Sequence, residues 1–126
     1  MKVVLDANAL MMPGKFRIDI VQAIGDLLGS FEPVILEEVA AEITGLARGH
    51  GSDAAAARLG LVLAARFGTI PSGCAGETVD ERIACYAARN EAMVATNDRL
   101  LRQKLLARGI AVISMKKQKK LDIIRS

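Results

Sequence analysis

Lys2-Val-Val-Leu-Asp-Ala-Asn8 decides the fold. Val3, Val4 and Leu5 make the short apolar run of a fully buried strand. The run ends abruptly on a carboxylate, Asp6, and Asn8 follows two residues on. In an open α/β sheet, ligands bind at the carboxyl ends of the strands. A carboxylate fixed there is rigid, faces the crevice and suits a hard cation.

Downstream, apolar runs alternate with helical periodicity. Pro13 and Gly14 read as a break, after which Phe16, Ile20, Ile24, Leu27 and Leu28 recur at helical spacing up to Gly29. Residues 33–36 read as a second strand running directly into a helix over 37–47. On that helix Glu38 and Glu42 are four apart and share a face. Ser52 is placed to cap an alanine-rich helix over 53–66. Residues 69–71 read as a third strand or its remnant. Thr78 and Glu81 fit a capping box that opens a helix through residue 88. Residues 92–96 form a buried strand, 99–108 a helix closed by Gly109, and 110–114 a last buried strand. Residues 121–124 are either an edge strand or a fraying tail. This alternation predicts an α/β fold, a three-layer α/β/α arrangement around a central, mostly parallel sheet of about five strands. Residues 1–115 form the domain, and 116–126 are a basic C-terminal segment, an edge strand or tail of the same domain.

Composition narrows the function. At 126 residues and 52% hydrophobic content the chain is long and apolar enough for one folded domain. Three Phe and one Tyr are too few for base stacking to be the main mode of nucleic-acid recognition. Cys74, Cys85 and the single His50 make no zinc signature. In a cytosolic core the two cysteines are expected as free thiols. No apolar run approaches the roughly 20 residues of a membrane span, so a cytoplasmic protein with no membrane contact is expected. The net charge of +3 conceals an asymmetry. Nearly all the acidic residues precede position 99, and the remaining segment is strongly basic. That suits a molecule gathering metal in one place and phosphate in another.

Asp6 and Asp98 each follow a strand, Glu38 and Glu42 lie on the helix after the second strand, and Asp80 is in the first turn of another helix. In a doubly wound sheet all these positions fall along one edge. One such residue is an ordinary cap. Four from separate segments repel one another unless a divalent cation is kept among them.

Val-Leu-Asp6-Ala-Asn8, Val-Ile-Leu-Glu-Glu38-Val, Thr-Val-Asp80-Glu-Arg-Ile-Ala and Ala-Thr-Asn-Asp98-Arg-Leu together resemble the PIN-domain ribonucleases. The ending, Gly109-Ile-Ala-Val-Ile and a lysine-rich segment, looks most like single-domain archaeal members of the small-subunit ribosomal RNA-processing branch. VapC-type toxins share the core pattern. The resemblance implies Mg²⁺ or Mn²⁺ held by catalytic Asp6, Glu38, Asp80 and Asp98. Glu42 could share or substitute for Glu38, and Asn8, Thr96 and Asn97 would support the site. It implies metal-assisted hydrolysis of RNA phosphodiesters in ribosomal RNA processing. Arg99, Arg102, Lys116, Lys117, Lys119 and Lys120 would hold the RNA backbone. Ribosome-assembly factors or an antitoxin are the implied protein partners. Met11, Met12 and Phe16 either pack in the core or pair in a homodimer.

Three rival readings stand beside this one. An antitoxin-controlled toxin ribonuclease stays within the family. An RNA-binding or assembly module with little cleavage would keep the fold and lose the chemistry. A phospho-accepting receiver-like domain would need a second acidic residue at the end of the first strand, and only Asp6 is there. His50 has no histidine partner, which argues against a paired-histidine ribonuclease.

Overall fold

A computed structural model describes residues 1–117 and 120–125. In chain order its elements are β1 (Lys2–Leu5), α1 (Ala7–Phe16), α2 (Ile20–Leu28), β2 (Glu32–Val34), α3 (Glu37–Ala47), α4 (Ser52–Phe67), α5 (Val79–Asn90), β3 (Met93–Ala95), α6 (Arg99–Ala107), β4 (Val112–Lys117) and β5 (Lys120–Ile124). The strands form one sheet in the order β2-β1-β3-β4-β5. The first four are parallel, and β5 runs antiparallel to β4. The α/β fold with a mostly parallel five-stranded sheet is therefore the expected one.

Val3, Val4 and Leu5 are completely buried, as a central parallel strand covered on both faces requires. From β1 the chain moves out to β2, then returns past β1 to β3. The strand order thus reverses at β1, and a crevice opens at the carboxyl ends of β1 and β3. Among the described residues no helix is long and apolar enough to cross a membrane.

Pro13 and Gly14 do not break the chain. α1 runs through both and ends at Arg17 in the left-handed region, with φ 55°. Tertiary packing overrides the local signal here. A Cβ built on Gly14 would lie 2.5 Å from Ala56 Cα, so Gly14 lets α1 touch the backbone of α4. Gly60 does the same from α4, where a Cβ would meet the Leu10 carbonyl oxygen at 3.0 Å. In an exposed helix Gly→Ala would gain about 1 kcal/mol. At Gly14 the sign should reverse. Gly14→Ala forces the two helices apart, and overpacking of this kind costs about 1–3 kcal/mol. A lowered urea midpoint with an unchanged slope is the expected readout.

Smaller departures follow the same logic. Ser52 is the first residue of α4 and makes no side-chain cap, because Gly51, with φ 91°, takes the N-cap position. Residues 69–71 contribute only an isolated bridge from Ile70 to Leu36. Residues 120–124 do pair, as β5. Cys74 and Cys85, expected as free thiols, form a disulfide. The loop after α4 runs back along α5 and brings their Cα atoms within 6.2 Å, inside the range a disulfide spans. Met11 and Met12 are buried and Phe16 packs against the core, so these three residues serve the interior.

Candidate active site

Asp6 immediately follows β1 and caps α1. Its Oδ1 accepts a hydrogen bond from the Ala9 N–H at 2.7 Å. Asp98 does the same for α6, accepting from the Leu101 N–H at 3.0 Å. Each carboxylate is thereby oriented by a helix start and also aimed at the crevice. Capping occupies one oxygen and leaves coordination capacity on the group. The structural and the functional explanations of these residues are compatible.

A network at the strand ends fixes the segment between β3 and α6. Asn8 Oδ1 accepts from the Asn97 N–H at 3.0 Å. Thr96 Oγ1 accepts from the Asp98 N–H at 3.0 Å. Asn97 Oδ1 accepts from Ser114 Oγ at 2.8 Å and from the Met115 N–H at 2.9 Å. Arg102 completes the chain by donating to Ser114 Oγ at 3.2 Å. Asn8, Thr96 and Asn97 thus brace the site. Ser114 joins them without having been singled out in the sequence, although its place on β4, beside the carboxyl end of β3, was a usable signal.

Asp6, Glu42, Asp80 and Asp98 line one pocket of about 220 Å³, with Asn8 at its rim and Met11, Leu46 and Ile83 as its apolar wall. A larger cleft of about 360 Å³ lies at the opposite edge of the sheet, where Glu91 is its one carboxylate. The chemistry therefore concentrates in the smaller pocket. Burial pushes the Asp6 carboxyl up to about 7, and the charges of Asp80 and Asp98 add to it. Hydrogen bonds from Thr96 and the Ala9 N–H oppose the rise. Burial, then Asp80 and Asp98, raise Glu42. Burial and Asp98 raise Asp80, against the pull of Lys104. None of the four carboxylates forms a salt bridge among the described residues.

Glu38 lies elsewhere. Its carboxylate accepts from the Ser72 N–H at 3.1 Å and from the Ser72 hydroxyl, and Arg82 stands 3.9 Å away. Burial pushes Glu38 up, but the Ser72 hydrogen bonds and Arg82 outweigh it and hold the carboxyl below its ordinary range. Glu38 is a satisfied group that ties α3 to the loop before α5. Glu42, one turn on, is the α3 acid in the pocket. Glu81 accepts from the Glu77 N–H at 2.8 Å while Thr78 caps α5, a capping box displaced by one residue. His50 is exposed in the loop before α4.

Of the residues expected to hold RNA, Arg99 and Arg102 lie on α6, Lys116 on β4 and Lys120 on β5. Arg99 is exposed at the start of α6. Arg102 is engaged with Ser114, and Lys116 stands 3.8 Å from Asp122. Lys120 is exposed on β5. Lys119 and the side chain of Lys117 lie outside the described residues.

The donor set suits a hard, oxygen-seeking cation: four carboxylates, no thiolate and no imidazole. Among the described residues no three Asp, Glu, His or Cys side chains stand close enough to enclose an ion by themselves. Water would have to complete the shell, which is how Mg²⁺ is ordinarily bound.

A doubly wound sheet with strand-end carboxylates at its switch point defines an α/β domain built around an acidic crevice. The chain belongs to the PIN like domain family, which residues 3–118 match. Its structure is similar to that of the PIN domain endonuclease Utp24, with a TM-score of 0.80 and 26% identity over 99% of this chain and 92% of that one. It also shares the fold of VapBC-1 from nontypeable Haemophilus influenzae, with a TM-score of 0.66 and 20% identity over 93% of this chain and 100% of that one. A comparison with curated proteins returned no significant match.

Proposed function

We propose that this protein is a metal-dependent endoribonuclease that hydrolyses RNA phosphodiester bonds. The observation that carries the reading is the convergence of Asp6, Glu42, Asp80 and Asp98 on one pocket, where none of them forms a salt bridge among the described residues. These four residues would hold Mg²⁺ or Mn²⁺, with Glu42 taking the place that the resemblance gave first to Glu38. A cation bound there supplies Lewis acidity and lowers the pKa of an attacking water. The chain's own contribution is placement. The α1 and α6 caps fix Asp6 and Asp98, and the Asn8–Asn97–Ser114 chain holds the segment between β3 and α6. Met11, Leu46 and Ile83 limit water on one side of the pocket. Arg99, Arg102, Lys116, Lys117, Lys119 and Lys120 would supply backbone contacts that do not read sequence.

The substrate class we assign is ribosomal RNA. It rests on the resemblance of the lysine-rich ending to the rRNA-processing branch and on similarity along nearly all of a PIN domain endonuclease. The test is cleavage of a labelled RNA stem-loop in Mn²⁺, Mg²⁺ and EDTA, with Glu42→Gln beside Glu38→Gln. EDTA should abolish cleavage. Glu42→Gln should lower kcat by about 100-fold or more, the scale of a lost charge-stabilising group. Glu38→Gln should stay within tenfold of wild type and lose about 1 kcal/mol of stability with its weakened Ser72 and Arg82 contacts. The reverse pattern would return the ligand role to Glu38. A protein inert in every metal that still binds the RNA would be a binding module.

A further inference from the structure

A second groove adjoins the acidic pocket. It has a volume of about 410 Å³ and runs between α5 and α6, lined by Asp80, Glu81, Ala84, Lys104, Ala107 and Arg108. Asp80 borders both cavities, so the groove leads out of the candidate catalytic centre. Its floor is alanine, with no bulky side chain filling it. On its α6 rim stand Lys104 and Arg108. They are four residues apart and therefore neighbours on one helix face, roughly 5–6 Å apart at Cβ.

Both cations are exposed, and neither forms a salt bridge among the described residues. Arg99 and Lys120 share that exposure but line no groove beside the acidic pocket, whereas Lys104 and Arg108 do. Arg102 is spent on Ser114, and Lys116 faces Asp122. The acids on the opposite rim are accounted for. Asp80 belongs to the metal-binding set proposed above, and Glu81 is held by the Glu77 N–H. The groove therefore presents two available cations, an apolar floor and a direct exit from the acidic pocket. Polyanions meet cations along their backbone, and flat apolar rings bury against small residues.

We infer that the α5–α6 groove is the exit track of the substrate strand: single-stranded RNA leaves the catalytic pocket past Asp80, with neighbouring phosphates on Lys104 and Arg108 and a nucleobase against Ala84 and Ala107. This rests on the nuclease reading. It adds Lys104 and Arg108, on the α6 rim, to the basic residues Arg99, Arg102, Lys116, Lys117, Lys119 and Lys120 to which the charge asymmetry and the resemblance pointed. The volume suits one nucleotide, since pockets of about 300–1,000 Å³ take ligands of that size. A base-paired strand should use the track less well, because a duplex exceeds the single nucleotide that this volume takes.

The test separates binding from cleavage. Fluorescence anisotropy of a labelled single-stranded RNA 12-mer is measured in EDTA over a range of salt. The proteins are wild type, Lys104→Ala/Arg108→Ala, Ala107→Glu and Lys116→Ala/Lys120→Ala. All the substituted side chains are exposed, so folding should survive, and circular dichroism confirms it. The groove double variant should weaken binding about tenfold at 0.1 M salt. It should also flatten the log–log salt slope by about 1.4, which is two single-strand phosphate contacts at about 0.7 each. Ala107→Glu should weaken binding at least as much by placing a carboxylate on the floor. The hairpin pair should change the slope less. If wild type binds and cleaves while both groove variants match it, the track is overturned and the nuclease reading stands. The track is equally overturned if only the hairpin variant loses affinity. If wild type neither binds nor cleaves RNA, the nuclease reading falls and the track falls with it.

Discussion

Asp6→Asn should abolish RNA cleavage and, in EDTA at pH 8, make the protein more stable than wild type. Asp6 is buried and forms no salt bridge among the described residues, and burial lifts its pKa to about 7 from an ordinary value of 3.8. The sign follows from linkage. Between about pH 4 and 7 the folded state holds a proton on Asp6 that the unfolded state has released. Stability then falls as pH rises through this window, and the whole penalty is present above it. A shift of about three units corresponds to at most about 4 kcal/mol. Asn keeps the shape and caps a helix as well as Asp does, so the Ala9 bond survives. The neutral side chain removes only the unfavourable charge. We expect a gain of about 2–4 kcal/mol at pH 8 that shrinks towards zero near pH 4. Urea denaturation at pH 4.5, 6 and 8 reads it directly. Adding Mg²⁺ should stabilise wild type, by about 2.7 kcal/mol at 100 times Kd, and leave the variant nearly unmoved. A variant no more stable than wild type at pH 8 would mean that Asp6 does not carry an unpaired charge in the folded protein.

Position in the sequence explains which residues could be read in advance. Asp6 and Asp98 each stand between an apolar run and a helical one, where an acid both caps the helix and faces the carboxyl edge of the sheet. Period and position suffice to place them at the crevice. The bounds of α3 were equally plain, because its apolar spacing starts and stops within the chain segment itself. Glu38 against Glu42 was not decidable that way. Both sit on one face of α3, and what separates them is Ser72, 34 residues away from Glu38. That serine lies in a glycine-containing loop with no periodicity to place it. Pro13 and Gly14 misled for a related reason. Their local preference is for a break, but the close approach of α1 to Ala56 is a contact between distant segments. The cysteines misled differently. Redox compartment predicts what an average pair of thiols does, whereas pairing depends on where the loop before α5 is folded back.

Reducing the Cys74–Cys85 disulfide should cost about 3 kcal/mol and lower nuclease activity with it. The bond closes a short loop, with a sequence separation of 11. On the chain-entropy account, a loop of roughly that size contributes about 3 kcal/mol by restricting the unfolded state. The activity effect comes from what the loop joins. Ser72 is tied to Glu38 on α3, and Gly73 and Gly76 accept hydrogen bonds from Arg89 and Arg82 on α5. α3 carries Glu42 and α5 carries Asp80. The loop is therefore a strap between two helices that each supply one carboxylate to the pocket, and the disulfide is its covalent fastening. Loosening it should widen the spread of Glu42–Asp80 separations and weaken metal affinity more than it changes the fold. Alkylation followed by mass measurement establishes the starting state: two added groups after reduction and none before. Urea midpoints with and without a dithiol reductant then give the energy, and Mg²⁺ titration of cleavage gives the affinity. Cys74→Ser/Cys85→Ser should reproduce the reduced wild type and ignore the reductant. If native protein is alkylated twice without reduction, the thiols are free in solution. The strap would then rest on Ser72, Arg82 and Arg89 alone.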